Sequence, residues 1–147
     1  MTTLETLGRA IAHAAGELVL VAHSSACAMV AHWADVAEPH LLDRVRGALL
    51  VGPSDPEGPN YPAGPSGFAP MPRRPLPFPI IVVASRDDKY VSLEQARSYA
   101  DAWGSAFVDV GNTGHINSDS NLGAWPAGYA LLETLRTGAR RTARPES

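Results

Sequence analysis

Apolar residues recur at Leu4, Leu7, Ile11 and Ala14, the spacing of one helix face, so the chain is expected to open with a helix over about residues 2–15. Thr2 or Thr3 is its candidate N-cap and Gly16 its C-terminal stop. The run "LVLVA" at 18–22 has strand length and suits a strand buried on both faces of a parallel sheet. Small residues from Ser25 to Val36 read as a second helix. "VRGALLVGP" at 45–53 and "PIIVVASRDD" at 79–88 read as two more buried strands, the latter rich in β-branched residues. "SLEQARSYADAWG" at 92–104 is an amphipathic helix capped by Ser92 and stopped by Gly104, and "SAFVDVG" at 105–111 is a short fourth strand. A last helix, about Gly123 to Thr137, presents Trp125, Tyr129, Leu132 and Leu135 on nearby faces.

Ten of the chain's 13 prolines fall from 52 to 79 and leave little room there for regular structure. One ordered surface loop over the sheet edge is expected there, with Tyr61 and Phe68 as candidate anchors. Residues 1–138 then form a single domain, and 139–147 a polar, solvated tail. Strands alternating with helices give an α/β fold, a mainly parallel sheet of about four strands flanked by helices. Chemistry in such sheets gathers at the carboxyl ends of the strands.

A chain of 147 residues with 45% hydrophobic content supports one core. Its formal charge of −3 provides no basic field for nucleic acid. Cys27 is the only cysteine, which removes a disulfide framework and a cysteine-rich zinc site, and which fits a reducing, cytoplasmic setting. One turn into its helix, it reads as a buried, inert thiol. No apolar run approaches the roughly 20 residues of a membrane helix, and Glu5 and Arg9 interrupt the N-terminal pattern as they would not in a signal peptide. His13, His23, His32 and His40, expected in a helix, the turn after the first strand, another helix and a loop, form no pair at a ligand spacing backed by a carboxylate, so no metal is expected. Trp33, Trp103 and Trp125 read as core residues of helices.

The carboxyl ends of the strands hold the chemistry. After the first strand comes Ala22-His23-Ser24-Ser25-Ala26, at the place where an α/β-hydrolase carries its G-x-S-x-G nucleophile elbow. Alanine replaces glycine at both outer positions, which keeps the steric logic of a tight strand-to-helix turn. Ser24 has two readings on this pattern, a nucleophile or an ordinary helix-capping serine. Asp87 and Asp88 follow the third strand, and His115 lies in a glycine-flanked loop after the fourth. Ser, Asp, His is the α/β-hydrolase order, with an imidazole to take the serine proton and a carboxylate to fix its tautomer.

The segments "LVLVAHSSACAMVAHWA", "GALLVGPSDPE", "LPFPIIVVASRDDKYVSLEQARSYADAWGS" and "GHINSDSNLGAWPAGYALLE" together resemble the retinoblastoma-binding-protein-9-like serine hydrolases, a small branch of the α/β-hydrolase superfamily. The resemblance covers nearly everything from 17 to 136. It implies Ser24 as nucleophile, His115 as general base and acid, and Asp88 as orienting carboxylate, with Asp87 in reserve. It further implies the backbone N–H of Ser25 as one oxyanion donor, a small acyl substrate and no cofactor. His23 and Asn117 are candidate site-lining residues.

Members of that family normally begin with an extra strand, a loop bearing a "PG…NS…HW"-like motif and another strand. Nothing in this sequence matches that block. The loop ordinarily supplies the second oxyanion donor, whose loss costs about 3 to 4 kcal/mol of transition-state stabilisation. The expectation is therefore a serine hydrolase whose activity the missing loop would impair, and the alternative is a catalytically weak or inactive hydrolase-fold protein that binds or scaffolds. "LVLVA" would be an apolar sheet edge, a place for edge-to-edge homodimerisation near Leu18 to Ala22 or for rearrangement of the N-terminal helix. A true start upstream of residue 1 would account for the gap equally well.

Overall fold

A computed structural model describes residues 3–57, 70–116 and 126–137. Helix α1 (Thr3–His13) precedes strand β1 (Leu18–His23), helix α2 (Ser25–Val36), the one-turn helix α3 (Pro39–Leu42) and strand β2 (Val45–Val51). Strand β3 (Ile80–Ala84), helix α4 (Leu93–Trp103), strand β4 (Ala106–Asp109) and helix α5 (Pro126–Thr137) complete the order. The four strands pair in parallel, in the sequential order β1-β2-β3-β4.

The alternation of side chains along a strand divides the core in two. Ala48 and Leu50 of β2, with Ile80 and Val82 of β3, face one side and pack with Trp33 of α2 and Tyr99 and Trp103 of α4. Leu49 and Val51, with Ile81 and Val83, face the other side and pack with Leu135 of α5 and Ile116. Helices thus cover both faces, as an all-parallel sheet requires.

Several elements end where their residues dictate. The Ser92 hydroxyl accepts from Gln95 N–H to start α4, and Gly104 closes it in the left-handed conformation at φ 73°. Helix α1 stops at His13, before the expected 15. Its terminal carbonyls are taken up by the Arg44 guanidinium, which donates to Ile11 O at 2.9 Å, to Ala12 O at 3.2 Å and also to Ala14 O and Gly16 O.

Three expectations need correction. Among the described residues β1 is a sheet edge, the second of the two expectations for "LVLVA", and not a strand buried on both faces; Ala22 is buried but Val21 is 59% exposed. His40 lies in α3 and not in a loop, because Pro39 at its first turn needs no N–H partner there. The proline-rich segment 52–79 makes no helix or strand among its described residues, yet its two ends are not surface chain. Pro53, Ser54, Asp55, Met71, Leu76 and Phe78 are buried, and Leu76 N–H donates to Trp103 O while Trp103 Nε1–H donates to Pro72 O. Met71, Leu76 and Phe78 belong to the apolar cluster on the α2 and α4 side of the sheet. Tyr61, Phe68, Trp125 and residues 139–147 lie outside the described residues.

Candidate active site

Ser24 sits between the last residue of β1 and the first of α2 with φ 64° and ψ −128°, a conformation that L-residues adopt only when their surroundings impose it. The imposition is visible on both sides. Ser24 N–H donates to Val51 O at 3.1 Å, tying the turn to β2, while Ala22, Cys27 and Ala28 are packed in the core. Although Ser24 occupies the N-cap position, its side chain makes no capping hydrogen bond. The hydroxyl points away from the helix amides.

It points instead to two partners from other strand ends. His115 Nε2 lies 2.8 Å from Ser24 Oγ, and Ser54 Oγ lies 2.9 Å from it. On the far side of the imidazole, His115 Nδ1 is 2.7 Å from Asp88 Oδ2, and Asp88 Oδ1 accepts from Tyr90 N–H at 2.9 Å. The Asp88 side chain has no exposed surface and that of His115 is 10% exposed, so this chain of bonds is largely screened from water. With Asp88 as a carboxylate, Nδ1 carries the proton of a neutral His115 and Nε2 presents a lone pair. Ser24 then donates its one proton to Nε2, and the remaining contact is Ser54 O–H donating to Ser24 Oγ.

The loop bearing His115 is held from several directions. His23 Nε2–H donates to His115 O at 2.8 Å, and the rings of His23 and Tyr90 lie tilted against the His115 ring at 4.8 and 4.5 Å. Asp87 Oδ1 accepts from Gly114 N–H at 2.7 Å and from Ser85 Oγ at 2.8 Å. These donors hold the Asp87 carboxyl below its usual range, first through the Gly114 amide and then through Ser85. Asp109 is lowered in the same way, by Gly111 N–H and then Arg86. Ile116, at φ 56°, is buried in the same apolar cluster as Leu135 of α5.

The sequence-derived candidates divide accordingly. Ser24, Asp88 and His115 meet; Asp87, the reserve, anchors the loop backbone and does not touch the imidazole. Ser25 opens α2, so its N–H is one of the first-turn amides without an intrahelical acceptor. His23 braces the loop, and Asn117 lies outside the described residues. Cys27 is buried, its Sγ 3.6 Å from Ala22 O and Val51 O, and burial pushes its thiol pKa upward, away from thiolate chemistry. Missing from the sequence reading were Gly52 and Ser54, both in the "GPSD" that follows β2. Gly52, at φ 57°, leaves room for the histidine loop: a Cβ there would stand 2.9 Å from His115 O. Neither carries a local signal, because their roles follow from β2 lying beside β1.

The comparisons with known proteins agree with this frame. No curated protein matches the chain. Among solved structures, a protein assigned as a YdeN-like hydrolase from Pectobacterium atrosepticum superposes with a TM-score of 0.71 at 26% identity, over 90% of this chain and 65% of that one. The ydeN gene product of Bacillus subtilis gives 0.66 at 20% identity, over 90% and 73%. The carboxylesterase Cest-2923 of Lactobacillus plantarum gives 0.63 at 19%, over 95% and 69%. The chain thus spans about two thirds to three quarters of the length of these structures, and the fold is that of the α/β-hydrolases. The family model for serine hydrolases matches residues 2–134, and the chain belongs to the serine hydrolase family.

Proposed function

We propose that the protein hydrolyses carboxylic esters or related acyl compounds through an acyl-enzyme intermediate, with Ser24 as nucleophile, His115 as general base and acid, and Asp88 as orienting carboxylate. The observation that carries this reading is the unbroken pair of bonds across one imidazole, 2.8 Å to Ser24 Oγ and 2.7 Å to Asp88 Oδ2. Ser24 attacks the acyl carbon while its proton passes to His115 Nε2; the leaving group then takes that proton as its bond to the acyl carbon breaks. Water follows the same route in reverse, giving its proton to Nε2 and releasing the acid. Asp88 keeps Nδ1 protonated and stabilises the imidazolium formed in each half. The Ser25 N–H, at the positive end of α2, is the oxyanion donor we assign, and no second one is assigned among the described residues. A site with a single such donor would turn over slowly.

The finer placement, in the retinoblastoma-binding-protein-9-like branch and in the cytoplasm, rests on the "GHIN" loop with its "LGAWP" continuation and on the lone cysteine. No helix among the described residues is long and apolar enough to cross a membrane.

Fluorophosphonate labelling tests the assignment. The wild type is expected to be labelled at Ser24, and Ser24→Ala to lose both the label and p-nitrophenyl acetate turnover. His115→Ala should fall by several orders of magnitude. Equal background rates in all three folded proteins would leave a binding or scaffold protein on a hydrolase frame.

A further inference from the structure

Ser54 is 1% exposed, and its hydroxyl lies 2.9 Å from the oxygen assigned above as nucleophile. Its backbone is fastened on both sides. Gly52 N–H donates to Val83 O, Ser54 N–H to Ser24 O, and Asp55 N–H to Tyr90 O, so the segment bridges the strand ends that carry Ser24 and Asp88. The Asp55 carboxylate, itself buried, accepts from Tyr99 O–H at 2.6 Å and from Glu57 N–H at 3.0 Å, which locks the turn directly after Ser54. A buried hydroxyl held this firmly against a reacting atom is placed to act on it.

We infer that Ser54 is a further catalytic residue, donating a hydrogen bond to Ser24 Oγ that directs the Ser24 proton to His115 in the free enzyme and stabilises Oγ as the leaving group in deacylation. The inference rests on the reading of Ser24 as nucleophile. In the free enzyme, Oγ has one proton to give; with Ser54 donating, that proton has only Nε2 to go to. During acylation Oγ loses electron density to the forming C–O bond, and the Ser54 contact weakens. During deacylation water adds to the acyl carbon with loss of its proton to Nε2. The C–Oγ bond then breaks, its electron pair goes to Oγ, and Nε2 returns a proton there. Charge builds on Oγ as that bond breaks, so the Ser54 hydrogen bond, weak to the ester oxygen of the acyl-enzyme, strengthens in this step, whereas in acylation it is already made to the free Ser24 hydroxyl. The two half-reactions therefore respond differently to its removal.

The experiment uses p-nitrophenyl trimethylacetate, a hindered ester whose acyl-enzyme accumulates. Release of p-nitrophenolate reads acylation, and intact-protein mass reads loss of the acyl group from Ser24. Ser54→Ala is expected to slow deacylation about 3- to 10-fold, the worth of one neutral hydrogen bond, and to slow acylation by less. Ser54→Thr, which keeps the hydroxyl, is expected to deacylate like the wild type. Unchanged deacylation in Ser54→Ala, or an equal fall in both steps as simple misplacement of Ser24 would give, overturns the role. Failure of the wild type to acquire an acyl group on Ser24 sinks the nucleophile assignment itself, and this inference with it.

Discussion

Gly52 combines two demands that no other residue meets: a left-handed backbone, and empty space where the carbonyl of His115 approaches. Gly52→Ala is expected to cost about 1 to 3 kcal/mol of stability from backbone strain alone. Because the added Cβ would press on His115 O, kcat should also fall, by up to about 100-fold for a displacement of order 1 Å. A variant with the wild-type melting temperature and full ester turnover would show that the close approach is unimportant. Asp87 gives a prediction in pH. Its carboxyl is held low in the fold by Gly114 N–H and Ser85, so its stabilisation is fully present above the unfolded value of about 4 and disappears as pH falls through the lowered folded value. The melting-temperature gap between the wild type and Asp87→Asn should therefore be largest near neutrality and close on acidification. A gap that widens in acid would contradict the assigned sign.

Arg44 shows the same logic one level up, where a single side chain finishes an element. Its guanidinium meets the last carbonyls of α1 from a position just before β2. Arg44→Ala is expected to cost about 1 to 2 kcal/mol, for charge-assisted bonds that are partly solvent-exposed. The loss should appear first as faster amide hydrogen exchange in α1, with the amides of β2 and β3 little affected; uniform acceleration across the sheet would mean that Arg44 does something else. This capping explains why α1 ends at His13 although its apolar spacing runs on to Ala14, and no periodicity in the sequence announces it. Elements with local signals were legible: α2 begins and ends at the residues its pattern marks, and Ser92 and Gly104 bound α4 as capping chemistry requires. For the site, Ser24, Asp88 and His115 could be read because each follows its own strand in a meaningful order. Gly52, Ser54 and the loop-anchoring role of Asp87 could not, because these depend on which strand lies beside which and on how closely two loops approach. A buried proline-flanked serine looks, in sequence, like any turn.

At the scale of the whole molecule, the position of β1 in the sheet matters most. Among the described residues β1 pairs only with β2 and so lies at an edge of the sheet, with Val21 59% exposed. Edges of this kind pair with other strands unless something covers them. We propose that two copies of the chain meet here, about a twofold axis that sets the two β1 strands antiparallel and joins the two sheets into one. The consequence reaches the site, since β1 leads directly into the strained turn at Ser24, and pairing its outer edge would limit the freedom of that turn. Size-exclusion chromatography with light scattering is expected to give a dimer at micromolar concentration. Val21→Lys, which places a charge on the edge, should yield a monomer with reduced esterase activity that retains the helical content of the wild type. A wild type that remains monomeric at high concentration, or a Val21→Lys variant that still dimerises, would mean that β1 is not the contact.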